Sequence, residues 1–96
     1  MQYFPFLRGM KGRKKSKEGA NILDKQQLLI KRIGERIRQI RKEQGYTNHD
    51  HFAYDHGLDR TQYSKYERGA DMRLSSLIKV LDALNVPLSE FFSEID

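Results

Sequence analysis

One stretch near the middle of this 96-residue chain limits its fold more than any other. Thr47 with Asp50, and Asp59 with Gln62, are two pairs of residues three positions apart. At that spacing the first side chain can accept a hydrogen bond from a free backbone N–H at a helix start, and the second can reach back. Gly57 lies between the pairs, and glycine adopts a left-handed backbone at little steric cost. The stretch therefore predicts two short helices joined by a tight turn.

The second of these helices, at roughly residues 60–68, has an aromatic side and a polar side. At about 100° per residue, Tyr63 and Tyr66 lie together, where they can join Leu58 and Phe52 in a core. The opposite side carries hydrogen-bond donors: Arg60, Thr61, Ser64, Lys65 and Arg68. A helix that directs donors outward while aromatic residues anchor its back has the form required to read base edges in a DNA groove. The alternative is the solvated face of an ordinary surface helix.

Another helix precedes this pair, beginning between Asn21 and Asp24 and ending near Glu43. Its apolar residues recur at three- and four-residue spacing and form one stripe: Leu29, Ile33, Ile37 and Ile40. Gly34 costs such a helix up to ~1 kcal/mol relative to alanine, which indicates a close contact with another helix at that point. Gly45 is expected to end this helix.

Two further helices are predicted after the central stretch, at about residues 74–84 and 88–94. The first has an expected buried stripe of five apolar residues: Leu74, Leu77, Ile78, Leu81 and Leu84. Asn85 is suited to a left-handed cap at its end, and Pro87 can start the last helix. We expect Phe91 and Phe92 both to lie in the core; a dimer contact made by one of them is the alternative.

Net charge is +5, and it is unevenly distributed. Residues 1–20 hold six basic residues and one acidic residue, residues 21–73 are +3, and residues 74–96 are −3. The first 20 residues are also rich in glycine and have no helical period, so we expect a flexible basic tail. The N-terminal part of the chain is thus basic and its C-terminal end is acidic. Such a charge dipole orients a protein toward a polyanion.

The composition also argues against several classes of protein. There is no cysteine, so neither a disulfide framework nor a thiolate metal site is available, and a cytoplasmic location, associated with the nucleoid, is expected. No apolar run approaches the ~18 residues that span a bilayer. His49, His51 and His56 do not have the spacing of a zinc site, and no nucleophile with an arranged base is present. We therefore expect no enzyme, no cofactor, no metal and no membrane partner.

Between Ile33 and Phe92 the chain resembles the Cro/repressor-type (xenobiotic-response-element, XRE) helix-turn-helix family of bacteria and phages. The matching segments are IGERIRQIRKEQG, FA…G, RTQYSKYERG and LSSLIKVLDALNVPLSEFF. The resemblance implies an all-α fold: a compact five-helix bundle of lambda-repressor-like type that contains a helix-turn-helix. The expected organisation is a flexible tail at residues 1–20 and a DNA-binding domain at residues 21–96.

The same resemblance assigns roles to individual residues. The base-reading residues would be Arg60, Thr61, Ser64 and Lys65. The phosphate-binding residues would be Thr47, Asn48, Gln62, Arg68 and Arg73. Glu67 would form a structural ion pair with Arg41, which keeps its carboxylate away from the phosphates.

The expected function is that of a sequence-specific transcriptional regulator, and we expect it to act as a repressor. It would bind double-stranded DNA as a homodimer on a palindromic site. An antitoxin that caps a partner toxin is a variant of this interpretation. The rivals are a protein-interaction module built on the same bundle and non-specific nucleic-acid binding through the basic tail.

Overall fold

Five helices make up the described part of the chain. The computed structural model describes the backbone of residues 18–95 and the side chains of residues 22–95. In chain order the helices are α1 (Glu18–Glu43), α2 (His49–Asp55), α3 (Arg60–Glu67), α4 (Leu74–Leu84) and α5 (Leu88–Ser93). The predicted all-α, five-helix class is confirmed. Most of the predicted tail, residues 1–17, lies outside the described residues.

Helix α1 begins at Glu18, earlier than the predicted start between Asn21 and Asp24. The glycine at position 19 lies within the first turn of the helix, because one glycine costs a helix only about 1 kcal/mol. At the other end, Gly45 has a φ of +94°, as expected of a residue that ends a helix in the left-handed region.

The core lies where α1, α2, α3 and α4 meet, with one side chain from α5. It is formed by ten buried residues: Ile37, Ile40, Phe52, Ala53, Tyr63, Leu77, Val80, Leu81, Leu84 and Phe91. Ile33 packs against this core, whereas Leu29 is only half-buried and is not part of it. The stripe predicted on α1 therefore enters the core only from Ile33 onward.

The stripe predicted on α4 is partly wrong. Leu74 is 66% exposed and Ile78 is also exposed, whereas Val80 is buried. On an ideal helix Leu74 and Ile78 lie about 40° apart on one flank, so the face that meets the core is centred on Leu77, Leu81 and Val80. Asn85 ends α4 in the left-handed conformation, with φ 61° and ψ 44°, as predicted.

The expectation that both phenylalanines of α5 lie in the core is wrong for one of them. Phe91 is fully buried, whereas Phe92 is 42% exposed. Their rings meet edge to face, with centroids 5.2 Å apart. A helix of six residues presents one narrow face to the bundle, so adjacent side chains cannot both reach the core.

Helix α3 rests directly on α1 at Gly34, which confirms the predicted close helix contact. A Cβ atom built at Gly34 would overlap the carbonyl oxygen of Tyr66 and would lie 3.1 Å from that of Glu67. The C-terminal turn of α3 therefore lies backbone to backbone against α1, which fixes the position of α3 in the molecule.

Candidate nucleic-acid interface

Helix α2 is capped by Asn48, one residue later than the predicted cap Thr47. The Oδ1 atom of Asn48 accepts hydrogen bonds from the backbone N–H groups of Asp50, at 2.7 Å, and His51, at 3.2 Å. Asn48 has the extended backbone typical of an N-cap. The prediction failed because threonine and asparagine are both good N-caps and stand side by side here.

The turn between α2 and α3 and the start of α3 follow the prediction. Gly57 has a φ of +68°, the left-handed conformation expected for the turn. Asp59 caps α3, because its Oδ1 atom accepts a hydrogen bond of 2.9 Å from the backbone N–H of Gln62. These two residues set the direction in which α3 leaves the turn.

Helix α3 has the two sides that its sequence predicts. Tyr63 is buried and its ring packs on that of Phe52, with centroids 5.2 Å apart. Tyr66 and Leu58 are partly buried against the same core. On the opposite side Arg60, Thr61, Lys65 and Arg68 are exposed, and Ser64 is half-buried.

A shallow depression gathers most of these polar residues with the first turn of α2. It is lined by His49, Asp50, Arg60, Thr61, Ser64 and Arg68. Lys65 lies on the exposed surface of α3 but does not line the depression. Three of the four predicted base-reading residues and one predicted phosphate-binding residue thus share one concave surface.

Sequence reasoning did not identify His49 and Asp50 as part of this surface. The Nδ1 atom of His49 lies 3.1 Å from the Oδ1 atom of Asp50. Both belong to the first turn of α2, where the backbone N–H of Asp50 is already bonded to the Asn48 cap. Placing the N-cap at Asn48 would have put both residues in the first turn of α2, but only the angle between α2 and α3 brings that turn to the depression.

The remaining predicted phosphate-binding residues lie at two other places. Thr47 and Asn48 are exposed immediately before α2. Gln62 and Arg73 line a groove between α3 and the start of α4, and Lys79 also lines this groove. Basic and amide groups therefore lie on both sides of α3. No local sequence signal marked Lys79, which lines the same groove as Arg73.

Arg41 and Glu67 form a buried, two-pronged ion pair between α1 and α3. The Nε atom of Arg41 donates to Oε2 of Glu67 at 2.7 Å, and Nη2 donates to Oε1 at 2.9 Å. The Nη1 atom donates to the Tyr46 carbonyl oxygen at 2.6 Å. The hydrogen bonds that Arg41 donates to Glu67 raise the pKa of Arg41 despite its burial. The acidic group of α3 is thus turned inward, away from the exposed polar side.

The Tyr63 hydroxyl lies beside this ion pair. It is buried and has no hydrogen-bond partner of good geometry among the described residues. Burial, followed by the neighbouring Glu67 carboxylate, raises the pKa of Tyr63 well above its ordinary value. The phenol is therefore neutral in the folded protein, and its role is to fill the core behind α3.

Tyr46 holds the start of α2 against α1. Its ring meets those of His51, Phe52 and His56 at centroid distances between 5.1 and 5.7 Å. Its hydroxyl hydrogen-bonds to Oδ2 of Asp55 at 3.0 Å, and this bond raises the pKa of Tyr46. Two of the three histidines are thus occupied in aromatic packing.

The described residues form no metal-binding cluster and no membrane-spanning helix. No group of three or more histidine, cysteine, aspartate or glutamate side chains is placed there to hold a metal ion. No helix in residues 18–95 has both the length and the apolar character needed to cross a membrane.

Comparison with known proteins agrees with this geometry. The family model described as "Helix-turn-helix" matches residues 37–91. The chain is 38% identical over 66 residues to "Control protein C.MunI" of Mycoplasma sp., an alignment that covers 68% of this chain and 89% of that protein. No solved structure gives a significant match. The chain belongs to the Cro/repressor (XRE) type of helix-turn-helix family, which is non-enzymatic, and it is a DNA-binding transcriptional regulator.

Proposed function

We propose that this regulator reads a specific DNA sequence by placing α3 in the major groove. The observation that carries the proposal is the arrangement of α3: its outward side holds exposed donors, while Tyr63 and the Arg41–Glu67 ion pair lock its inward side. At about 1.5 Å per residue, an eight-residue helix is roughly as long as the major groove is wide, about 12 Å.

The residue types suit base recognition. Arg60 and Lys65 can each give two hydrogen bonds to O6 and N7 of guanine, and Thr61 can meet an acceptor or the thymine methyl group. Ser64, half-buried between them, can donate to or accept from a base edge. Each good two-pronged contact discriminates against a wrong base by about 1–3 kcal/mol.

The phosphate contacts would flank α3. Arg68 lies in the depression on the α2 side, whereas Gln62 and Arg73 lie in the groove on the α4 side. Positive or amide groups on both sides of α3 support contacts with the two sugar–phosphate strands that border a groove. Thr47 and Asn48, at the start of α2, would add contacts to one of those strands.

We further propose that the protein acts as a homodimer on a palindromic site and represses transcription. A two-fold dimer would read two half-sites one helical turn apart. The relative is named a control protein, which supports a regulatory role but does not say whether transcription is repressed or activated. A cytoplasmic location on the nucleoid follows from this proposal.

Selection of bound duplexes from a random pool tests the proposal. We expect enrichment of a palindromic sequence, after which Arg60→Ala and Lys65→Ala should each relax base preference at particular positions. Arg73→Ala should weaken binding about equally on all sequences and reduce the slope of affinity with salt by about one. Arg38→Ala, an exposed arginine on α1, is the control. Equal loss on every sequence for Arg60→Ala would refute the assigned roles.

A protein-interaction module is the competing function, with a toxin as one possible partner. The exposed pair Leu88 and Phe92 on α5 gives it a specific surface. This alternative predicts that no duplex sequence is enriched from the pool. It also predicts that Phe92→Ser abolishes binding of the partner protein, whereas Arg60→Ala does not.

A further inference from the structure

His49 brings a side chain of variable charge to the surface that is proposed to meet DNA. The side chain is 42% exposed. The depression between α2 and α3 is lined by His49 with Asp50, Arg60, Thr61, Ser64 and Arg68. Histidine is the side chain that ordinarily gains or loses a proton between about pH 5 and pH 8. A proton on His49 would therefore change the charge that this surface presents.

Asp50 lies directly beside the imidazole of His49. The Nδ1 atom of His49 is 3.1 Å from Oδ1 of Asp50. Nδ1 is shielded from solvent, and no hydrogen bond of good geometry reaches it from the described residues. Both ring nitrogens of a protonated histidine are donors. Protonation would therefore let Nδ1 pair with the Asp50 carboxylate and leave the N–H of Nε2 for another acceptor.

Asp50 differs from the three other acids of residues 49–67 because its carboxylate stays on this surface. The others are engaged with protein groups: Asp55 with a tyrosine hydroxyl, Asp59 with the first turn of α3, and Glu67 with a buried arginine. A carboxylate on a surface that meets DNA repels the phosphates. A positive charge on the neighbouring imidazole would cancel that repulsion.

The remaining charges that face His49 come from α3. Arg60 and Arg68 line the depression from that helix. From α1, Arg41 reaches the carbonyl oxygen of Tyr46 just before α2, but Arg41 is buried in its ion pair. Two arginines against one aspartate give the depression a charge of +1 while His49 is neutral, and protonation raises it to +2. A bound polyanion thus favours the proton, and by reciprocity the proton favours the polyanion.

We propose that DNA binding by this regulator is linked to the uptake of one proton by His49. The inference rests on the proposed function, because it requires the depression to meet the sugar–phosphate backbone. In the protonated state Nδ1 pairs with the Asp50 carboxylate, and Nε2 donates a hydrogen bond to a phosphate oxygen. In the neutral state the Asp50 carboxylate is uncompensated and lowers the affinity for DNA. The regulator therefore binds DNA more tightly as the pH falls.

The two other histidines of this region lie in different surroundings. His51 is 3.5 Å from Asp55, and its ring meets that of Tyr46 edge to face. The ring of His56 packs on the core phenylalanine of α2, with centroids 4.4 Å apart. Neither His51 nor His56 lines the depression. They are therefore natural controls for His49.

Affinity for the selected duplex, measured with the full chain as a function of pH, tests the linkage. Between about pH 8 and about pH 6 the wild-type affinity should rise roughly threefold or more, and by no more than about tenfold per pH unit, because one proton is involved. His49→Gln should remove most of this rise, and His49→Lys should bind nearly equally at both pH values. His51→Gln and His56→Gln should keep the wild-type profile. A wild-type profile in His49→Gln, or a wild-type affinity that does not change with pH, would overturn the inference.

Two further measurements identify the contact as one between a protonated side chain and a phosphate. The slope of log affinity against log salt concentration should be steeper by about one at about pH 6 than at about pH 8 in the wild type, but equal at both in His49→Gln. Calorimetry in two buffers of different ionisation enthalpy should show uptake of up to about one proton per chain, and none in His49→Gln. Base preference should be the same in both proteins, since a phosphate contact carries no sequence information. A changed base preference in His49→Gln would refute the phosphate contact.

Asp50→Asn tests the other member of the pair. Loss of the carboxylate should raise affinity at about pH 8 roughly threefold or more, on selected and scrambled duplexes alike. Asp82→Asn is the matched control, because Asp82 is an exposed aspartate of α4 that lines neither the depression nor the groove between α3 and α4. An Asp50→Asn affinity equal to that of the wild type would show that this carboxylate does not face DNA.

Selection from the random pool separates this inference from the proposed function. If the wild-type chain enriches no duplex, the proposed function fails. If it enriches a duplex but His49→Gln keeps the wild-type pH profile, only the inference about His49 fails. Thermal unfolding of His49→Gln at both pH values should match that of the wild type, because His49 is exposed and outside the core.

Discussion

Replacing Glu67 by methionine should destabilise the protein far more than removing any exposed acid. The substitution removes both hydrogen bonds between Glu67 and the guanidinium of Arg41. Arg41 remains buried, with its bond to the Tyr46 carbonyl oxygen. A buried charge that loses its partner costs about 3–5 kcal/mol. That is a large part of the roughly 5–15 kcal/mol that stabilises a small domain.

The magnitude can be checked with a double variant. Changing Arg41 and Glu67 together to methionine removes both charges, and apolar replacement of a buried ion pair is often neutral or stabilising. The lost bond to the Tyr46 carbonyl oxygen costs about 1 kcal/mol. The free energy of unfolding of the double variant should therefore lie within roughly 1 kcal/mol of the wild-type value, although the single variant Glu67→Met is severely destabilised.

The assays are urea unfolding and thermal unfolding at pH 7, each followed by the circular dichroism of the helices. For a domain of this size each kcal/mol shifts the melting temperature by about 4–8 °C, so Glu67→Met should melt at least roughly 12 °C lower. The exposed Glu90→Met is the control and should change stability by less than about 0.5 kcal/mol. A cost below about 1 kcal/mol for Glu67→Met would refute the reasoning. So would a double variant as unstable as Glu67→Met.

Three further predictions use the same unfolding assay. Gly34→Ala should destabilise by about 1–2 kcal/mol, because overpacking against α3 outweighs a helix-propensity gain of up to ~1 kcal/mol; a stabilised variant would mean that α1 and α3 are not in close contact. Asn48→Ala should cost about 1 kcal/mol and Thr47→Ala less than about 0.5 kcal/mol, and a larger cost for Thr47→Ala would contradict the observed cap. Because the fold raises the pKa of Tyr63, the folded state keeps a proton that the unfolded chain releases above pH ~10. Below that pH the free energy of unfolding does not depend on the protonation of Tyr63. Above it, the free energy of unfolding falls as pH rises. Tyr63→Phe should reduce the alkaline loss, whereas a phenylalanine at the exposed Tyr54 should not.

Local signals predicted much of the fold, because they depend on few atoms. The bounds of α4 follow from the apolar period and the left-handed preference of Asn85. The turn at Gly57 and the two sides of α3 likewise depend on backbone freedom and on helix geometry alone. Each of these features can be worked out within one helix or one turn.

The incorrect predictions concern choices that only tertiary packing decides. Leu74 and Val80 border opposite sides of one stripe on α4, and the position of the neighbouring helices determines which of them is buried. Phe91 and Phe92 have the same intrinsic tendency to be buried, but α5 offers the core only one position. Asp50 lines the depression because of the angle between α2 and α3, which no local pattern specifies.

The contact at Gly34 bears on how new DNA specificities could arise in this protein. Main-chain atoms of α3 lie on a residue of α1 that has no side chain, so the height of α3 above α1 does not depend on the outward residues of α3. Those residues can be exchanged without shifting the helix that carries them. Under the base-reading role proposed above, mutation at Arg60, Thr61 or Lys65 would change the preferred operator without moving α3 relative to α1.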